Sequence, residues 1–190
     1  MLRKMILCSA FLMFGAVTAQ AAELGISFSD KSAQLFFRQQ VADHGNGRSV
    51  FSVRGLYNDR KDTELVSASF DVLGPVANTG LEIGAGIRGY FVNSGVNGDE
   101  IGAGGIGALI RFVPPGLGRR LSFGGSVYYC PEIFNILDGE GLWDAEVKAS
   151  FELAPKAVAF VSYTEIEGDI EFKGERTLDK TARVGLSVGF

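Results

Sequence analysis

The chain has 190 residues, and its 18 basic and 22 acidic residues give a formal net charge of −4. Because positive charge is not in excess, the chain lacks the basic stripe expected of a nucleic-acid-binding protein. Its 26 glycines, 15 phenylalanines and 46% hydrophobic content indicate an ordered, glycine-rich chain and exclude a disordered one.

The first 21 residues have the features of a secretory signal peptide. Arg3 and Lys4 precede an apolar run over residues 5–17, and Ala19-Gln20-Ala21 supplies the small residues of a cleavage site. The apolar run is shorter than the roughly 20 residues that a membrane-spanning helix needs. We therefore expect export, with residues 22–190 forming the mature protein.

The mature chain is dominated by alternation of apolar and polar residues. A period of two is typical of a β-strand with one apolar face, and Gly, Pro, Asn and Asp separate the alternating segments. Ten segments show it: residues 23–29, 33–38, 51–57, 66–72, 81–91, 106–112, 121–129, 144–153, 157–167 and 181–190. They predict an all-β, up-and-down antiparallel barrel of ten strands. Eight strands is the fallback if residues 23–41 do not join the barrel.

The connections favour a transmembrane barrel. Short ones are predicted over residues 74–77, 114–119 and 154–156, and longer, more polar ones over residues 58–63, 93–100, 131–143 and 165–179. Outer-membrane barrels have short periplasmic turns and longer outer loops. An even strand number then puts both ends of the chain on the periplasmic side.

Aromatic residues give a second indication of a membrane. Tyrosine and tryptophan collect at the lipid–water boundary, and six are predicted at the long-loop ends of the strands as an outer belt: Tyr57, Tyr90, Tyr128, Tyr129, Trp143 and Tyr163. The final strand ends in Phe190, which resembles the terminal assembly signal of bacterial outer-membrane proteins. The rival interpretation is a soluble periplasmic barrel with its apolar faces inside.

The polar faces of a membrane barrel line its lumen. Ten charged residues are predicted to face inward: Arg38, Arg54, Asp71, Glu82, Arg88, Arg111, Glu146, Lys148, Glu152 and Arg183. They carry both signs, and a small barrel has room mainly for its own side chains. We favour a lumen partly plugged by paired charges. The alternative is the charged lining of an open pore.

Several segments resemble the YfaZ-like family of small outer-membrane barrels. They are Glu23-Leu24-Gly25, the glycine-rich residues 81–90 and 101–112, the Tyr128-Tyr129-Cys130-Pro131 turn, and the terminal residues 184–190. The resemblance covers essentially the whole mature chain. It implies a barrel in the outer membrane of a Gram-negative bacterium and no catalytic residues. We expect a monomer whose partners are lipid, lipopolysaccharide and the barrel assembly machinery.

Two glycine-rich segments match a dinucleotide-binding motif. Residues 84–89 and 102–107 both read G-x-G-x-x-G. That motif needs a helix to follow it, so that the helix N-terminus faces the phosphates. Both segments lie inside predicted strands, so no nucleotide cofactor is expected. Five glycines are predicted to face inward, where they either give bulky neighbours room to pack, which we favour, or leave a notch in the lumen: Gly84, Gly86, Gly105, Gly107 and Gly124.

Titratable groups give little support for an enzyme. His44 is the only histidine, and it falls in a predicted periplasmic turn, the wrong end for chemistry on outer-leaflet lipid. Cys130 is the only cysteine after the signal peptide and has no disulfide partner. With one histidine and one cysteine, a zinc site is excluded by count, and no metal is expected.

An acidic ladder follows the ninth predicted strand. Glu165, Glu167, Asp169 and Glu171 share one face of a strand that rises beyond the membrane. We expect water and Lys173 or Arg176 to offset their repulsion. The alternative is a divalent cation that bridges the ladder to lipopolysaccharide phosphates.

Three classes of function remain. The sequence favours a structural or narrow-pore barrel without enzymatic activity. The first alternative is a small-solute channel with an open lumen, and the second is an outer-leaflet lipid-modifying enzyme that would use His44.

Overall fold

The computed structural model describes residues 21–43, 45–77, 79–94, 99–116, 120–137, 139–170 and 174–190. Within them the chain forms eleven strands: β1 Ala22–Phe28, β2 Ser32–Asp43, β3 Arg48–Asn58, β4 Thr63–Val76, β5 Leu81–Ser94, β6 Asp99–Phe112, β7 Leu121–Cys130, β8 Asn135–Leu137, β9 Gly139–Ala154, β10 Ala157–Ile170 and β11 Gly174–Gly189. A short 3-10 turn, Glu132–Phe134, precedes β8. No helix in this part of the chain is long and apolar enough to cross a membrane. The predicted signal peptide, apart from its last residue, lies outside the described residues.

Ten of the strands close into one antiparallel barrel. Each pairs with its neighbour in sequence, β7 pairs directly with β9, and β1 pairs with β11 to complete the ring. The short β8 pairs only with β6 and is not part of the ring. At the closure, the backbones of Ala22 and Phe190 exchange two hydrogen bonds of 3.1 and 2.9 Å. The prediction of a ten-stranded up-and-down barrel is confirmed, and the eight-stranded fallback is wrong.

The apolar faces of the strands point away from the barrel axis. On β4, Val66, Phe70 and Val72 are exposed, whereas the alternating Ser67 and Asp71 are buried. The same pattern recurs around the ring. Most of the buried polar side chains are serine, threonine or charged residues. Sheets in soluble barrels bury their apolar faces, and transmembrane barrels turn them outward. This barrel has the second arrangement.

The long connection predicted over residues 165–179 is wrong in the described part. β10 continues to Ile170 and β11 begins at Gly174, so the two strands form a long hairpin. Residues 174–183 of β11 lie beyond the last pair with β1, Phe28 with Val184, and form ladder pairs only with β10. A polar segment in water can pair its backbone groups in a hairpin as readily as it can form a loop. The polar composition of this segment is therefore compatible with both a loop and a hairpin.

Candidate functional site

The barrel interior changes in character along its axis. At the end where Ala22 lies beside Gly189, the interior holds a cavity of about 420 Å³. Beyond it, charged side chains meet across the lumen. Beyond these, towards the β10–β11 hairpin, the interior is filled by buried apolar side chains.

Asp144 on β9 is the centre of the charged layer. Its side chain is 1% exposed, and its Oδ2 accepts hydrogen bonds from Arg54 at 2.5 Å, Arg88 at 2.9 Å and Tyr90 at 2.8 Å. Glu146 lies 3.6 Å from the Arg54 guanidinium. We call these five residues the Asp144 cluster. Two cations thus share one fully buried carboxylate, and the donor groups supply the hydrogen bonds that a buried charge requires.

The Asp144 cluster crosses the whole lumen. In the closed ring, β3 and β9 are five strand-to-strand steps apart in either direction, so they lie opposite each other. The ion pair between Arg54 on β3 and Asp144 on β9 therefore spans the barrel diameter. Arg88 reaches the same carboxylate from β5.

Tyr128 extends the charged layer on the inside of the barrel. Its hydroxyl donates to Asp71 Oδ1, and the Arg88 guanidinium lies 3.7 Å from the centre of its ring. Tyr128 is 0% exposed and Tyr90 is 5% exposed. The prediction that these two residues belong to an outer aromatic belt is wrong. Both occupy inward positions of their strands, where their hydroxyl groups find carboxylate partners.

The other four members of the predicted belt point outward. Tyr57, Tyr129, Trp143 and Tyr163 are exposed on the apolar face of the barrel. Their depth relative to a membrane stays a prediction. Phe190 is exposed at the end of the chain, and its role as an assembly signal also stays a prediction.

A buried apolar cluster fills the interior beyond Asp144. It comprises Leu56, Leu65, Tyr90, Val92, Ile101, Ala103, Tyr128, Cys130, Leu142, Ile166 and Leu178. Sequence reasoning missed this cluster because it assigned polar residues to the inward faces throughout. The signal was present in the alternation, since Leu142 shares the inward face of β9 with Asp144 and Glu146. Inward apolar residues at one end of several strands indicate a closed lumen.

Arg183 forms a second buried ion pair near the apolar cluster. Its Nη2 donates to Asp179 at 2.7 Å, and its Nε donates to the Ser32 hydroxyl at 3.0 Å. Asn58 donates to the same Asp179 oxygen at 2.6 Å. These contacts join β11 to β2 and β3 across the barrel closure.

The ten charged residues predicted for the lumen all occupy the inward side of their strands. Arg54, Asp71 and Arg183 are buried, and Arg88 and Glu146 are nearly so. Glu82 accepts from Arg48 at 2.8 Å and from Arg111 at 3.1 Å. Three residues complete the set, all half-buried: Arg38, Lys148 and Glu152. Sequence reasoning missed Asp144 and Arg48 as site residues. The alternation along β9 nevertheless puts Asp144 on the same inward face as Glu146 and Lys148.

Inward glycines make room for bulky side chains. A Cβ at Gly107 would overlap the Tyr128 ring, and one at Gly105 would meet Cys130 Sγ. Gly86 likewise makes room for Asp71, and Gly84 for Leu73. The predicted packing role is confirmed for these four. Gly124 instead has almost no neighbour and lines the cavity.

Substitution Gly107→Ala is therefore expected to destabilise the barrel. The added methyl displaces Tyr128 from its place beside Asp71, and overpacking of this kind costs about 1–3 kcal/mol. The measurement is the free energy of unfolding in lipid or detergent. Gly89→Ala is the matched control, because a Cβ there meets nothing within 4 Å. Equal effects of the two substitutions would contradict the packing role.

The acidic ladder has a partner that sequence reasoning did not choose. Glu165 accepts a hydrogen bond of 2.5 Å from Lys180, which lies opposite it on β11. Of the residues expected to offset the ladder, Lys173 lies outside the described residues, as does Glu171. No group of three or more His, Cys, Asp or Glu side chains able to hold a metal occurs in the described ranges. His44 is also outside them.

The Glu165–Lys180 pair predicts a change in titration. The hydrogen bond from Lys180 lowers the pKa of Glu165 below its ordinary value. Lys180→Gln is therefore expected to raise the pKa of Glu165, measured by carbon-13 NMR of the side-chain carboxyl. The pair stabilises the hairpin while Glu165 is ionised, and this contribution is lost as the pH falls through the lowered pKa. Lys61→Gln is the control, and an unchanged Glu165 titration in Lys180→Gln would contradict the assignment.

Comparisons with known proteins find similarity only at the level of structure. No protein-family model matches the chain, and no curated protein matches it. A NanC porin solved in a rhombohedral crystal form is similar with a TM-score of 0.48 and 8% identity, over 90% of this chain and 98% of that chain. A KdgM porin is similar with a TM-score of 0.41 and 11% identity, over 90% of this chain and 99% of that chain. At these TM-scores the likeness supports neither a ligand nor an activity, so the barrel architecture rests on the strand pairing itself.

Proposed function

We propose that this protein is an integral outer-membrane β-barrel of porin-like architecture whose lumen is closed, and that it has no enzymatic activity. The observation that carries the proposal is the Arg54–Asp144 ion pair, which joins opposite strands across the lumen. Beyond it, the buried apolar cluster occupies much of the interior in the described part of the barrel. Barrel diameter grows with strand number, and the interior of a barrel of about eight strands is just wide enough to be filled by side chains, so a ring of ten leaves little additional space.

The outward apolar faces support a membrane location. Leucine, isoleucine, valine and phenylalanine side chains are exposed on strands all around the ring. Exposed apolar area on this scale marks a surface that contacts lipid or protein. The proposal includes membership of the YfaZ-like family, a monomeric state, contact with lipid and lipopolysaccharide, and insertion by the barrel assembly machinery.

Conductance tests the closed lumen. The purified barrel, inserted into a planar lipid bilayer, is expected to show no steady ion current, because charges and apolar side chains occlude its interior. A general porin in the same bilayer is the positive control for insertion and recording. Steady single-channel steps from this barrel would contradict the closed lumen and favour the small-solute channel.

Cys130 provides an independent measure of closure. Its side chain is buried in the apolar cluster, with Sγ beside Gly105. A charged, water-soluble thiol reagent is therefore expected to leave Cys130 unmodified in the folded barrel and to modify it after heat unfolding, as measured by mass spectrometry. Rapid modification of the folded barrel would show that water and solutes reach the cluster. Ser126→Cys, which introduces a thiol in the cavity lining, is the control for access.

The enzyme alternative has a direct test. The barrel is expected to leave phospholipid and lipopolysaccharide unchanged on prolonged incubation. Lipid turnover that His44→Ala abolishes would overturn the non-enzymatic assignment.

A further inference from the structure

The mouth of the interior cavity carries more cationic than anionic groups. Arg38, Arg48, Arg111 and Lys148 line it, and Glu23 is the carboxylate among them. Arg48 and Arg111 share a single further carboxylate, Glu82. Glu152 lies half-buried one inward position beyond Ser150, towards the rim. Even with all three carboxylates counted, the mouth retains an excess of positive charge, whereas the cavity floor, with Asp71 and the Asp144 cluster, does not.

Arg38 and Lys148 form the least neutralised part of this mouth. The Arg38 guanidinium lies 4.8 Å from the centre of the Phe36 ring, and the Lys148 ammonium lies 4.5 Å from the same point. Lys148 also lies 3.8 Å from the centre of the Phe160 ring. Glu23 is opposite Arg38 in the β1–β2 ladder. Among the described residues, neither cation has a carboxylate within ion-pair distance.

The two phenyl rings fix the cations without using their hydrogen-bond donors. A cation over an aromatic face is held by the ring quadrupole, so the N–H groups of Arg38 and Lys148 stay available to a ligand. Both head groups lie within 5 Å of one ring centre, so they are less than 10 Å apart, a separation that one molecule with several anionic groups can bridge. Serine side chains at Ser52, Ser122 and Ser150 supply further hydroxyl donors in the lining.

We propose that this cavity is a binding site for a small polyvalent anion that carries carboxylate or phosphate groups. Guanidinium and ammonium groups are the side chains that bind such anions, and charge-assisted hydrogen bonds to them are the strong ones. The cavity volume of about 420 Å³ is within the range of small-molecule sites. The anion enters from the end where the two ends of the described chain meet, which under the proposed function is the periplasmic end. The site needs only the cavity, and it stands whether or not the lumen conducts.

Calorimetric titration of the folded barrel with citrate tests the site. In micelles of an uncharged maltoside detergent at low salt, we expect saturable binding at a ratio of one to one, weakening as salt is raised. The double substitution Arg38→Gln, Lys148→Gln is expected to weaken binding at least about tenfold, because it removes two charged donors. The charge-preserving Arg38→Lys, Lys148→Arg variant is expected to retain most of the affinity. Glucose, an uncharged probe rich in hydroxyl groups, is expected not to bind.

Matched controls separate a built site from general attraction of anions. The double substitution Lys31→Gln, Arg60→Gln also removes two positive charges, but from exposed side chains at the opposite end of the barrel. It is expected to leave citrate binding unchanged. Heated and unheated gels establish that each variant is folded. If the Arg38→Gln, Lys148→Gln variant fails to fold, the single substitution Arg38→Gln replaces it. The single substitution is expected to weaken citrate binding by a smaller factor. The proposal would be overturned if citrate did not bind saturably, or if the Arg38→Gln, Lys148→Gln variant bound citrate as tightly as the unmodified protein. It would also be overturned if the Lys31→Gln, Arg60→Gln control weakened binding as much as that variant.

Discussion

The substitution Asp144→Ala is expected to lower the free energy of unfolding by about 3–5 kcal/mol. It removes the carboxylate that Arg54 and Arg88 share, and both guanidinium groups are then buried without their main counter-charge. Glu146, 3.6 Å from Arg54, offsets this only in part. The measurement is reversible denaturant unfolding of the barrel in lipid vesicles or detergent.

Two controls distinguish a buried cluster from an ordinary ion pair. Asp30→Ala removes the partner of Arg60 in a pair of similar length, 2.7 Å, but with both side chains exposed, so we expect a change of at most about 1 kcal/mol. Replacing Arg54 and Arg88 by Met, Asp144 by Leu, Glu146 by Gln and Tyr90 by Phe removes all the charges of the cluster together and should recover most of the lost stability. Similar losses for Asp144→Ala and Asp30→Ala would contradict the buried cluster.

The substitution Val147→Lys is expected to destabilise the barrel by about 2–4 kcal/mol. Val147 points outward on β9 between Trp143 and Leu153, near the middle of the apolar face. A lysine at the bilayer midplane loses its hydration, and the cost falls with distance from that plane. The free energy of unfolding in lipid vesicles is the measurement.

Leu153→Lys is the matched control for depth. Val147 and Leu153 are both 58% exposed and point to the same side of β9, but Leu153 lies near the end of the strand, where the cost is about 0–1 kcal/mol. In water, the two substitutions would each change stability by less than about 0.5 kcal/mol. Small and equal changes in the free energy of unfolding for the two substitutions would therefore show that this face is solvated. That result would favour the soluble periplasmic barrel.

The sequence predicts the strands and their two faces because both depend on local alternation. On β9, the period of two across residues 144–153 correctly predicts that Val147 and Phe151 point outward and that Glu146 and Lys148 point inward. Strand number follows from the same pattern. These features need no knowledge of which strands face each other across the barrel.

The interior contacts depend on closure of the ring and were not predictable in the same way. Asp144 meets Arg54 across 90 residues of sequence, and the sequence does not reveal the stagger that brings them to one level. Residue type alone predicts an outer belt position for Tyr90 and Tyr128, and that prediction is wrong. Their positions on β5 and β7 already place them on the inward face. Residues 165–179 carry two predictions, a long connection and, from Glu165 to Glu171, a strand that rises beyond the membrane, because exposed strands and loops have similar compositions.

Under the proposed function, the apolar face of this barrel contacts the lipid of the outer membrane. Cell fractionation followed by gel electrophoresis in SDS, with unheated and boiled samples compared, tests it most directly. A closed ladder without free edges resists unfolding by detergent until heated. We predict a band in the outer-membrane fraction whose mobility changes on boiling. A band released by osmotic shock into the soluble periplasmic fraction, with the same mobility before and after boiling, would contradict the claim.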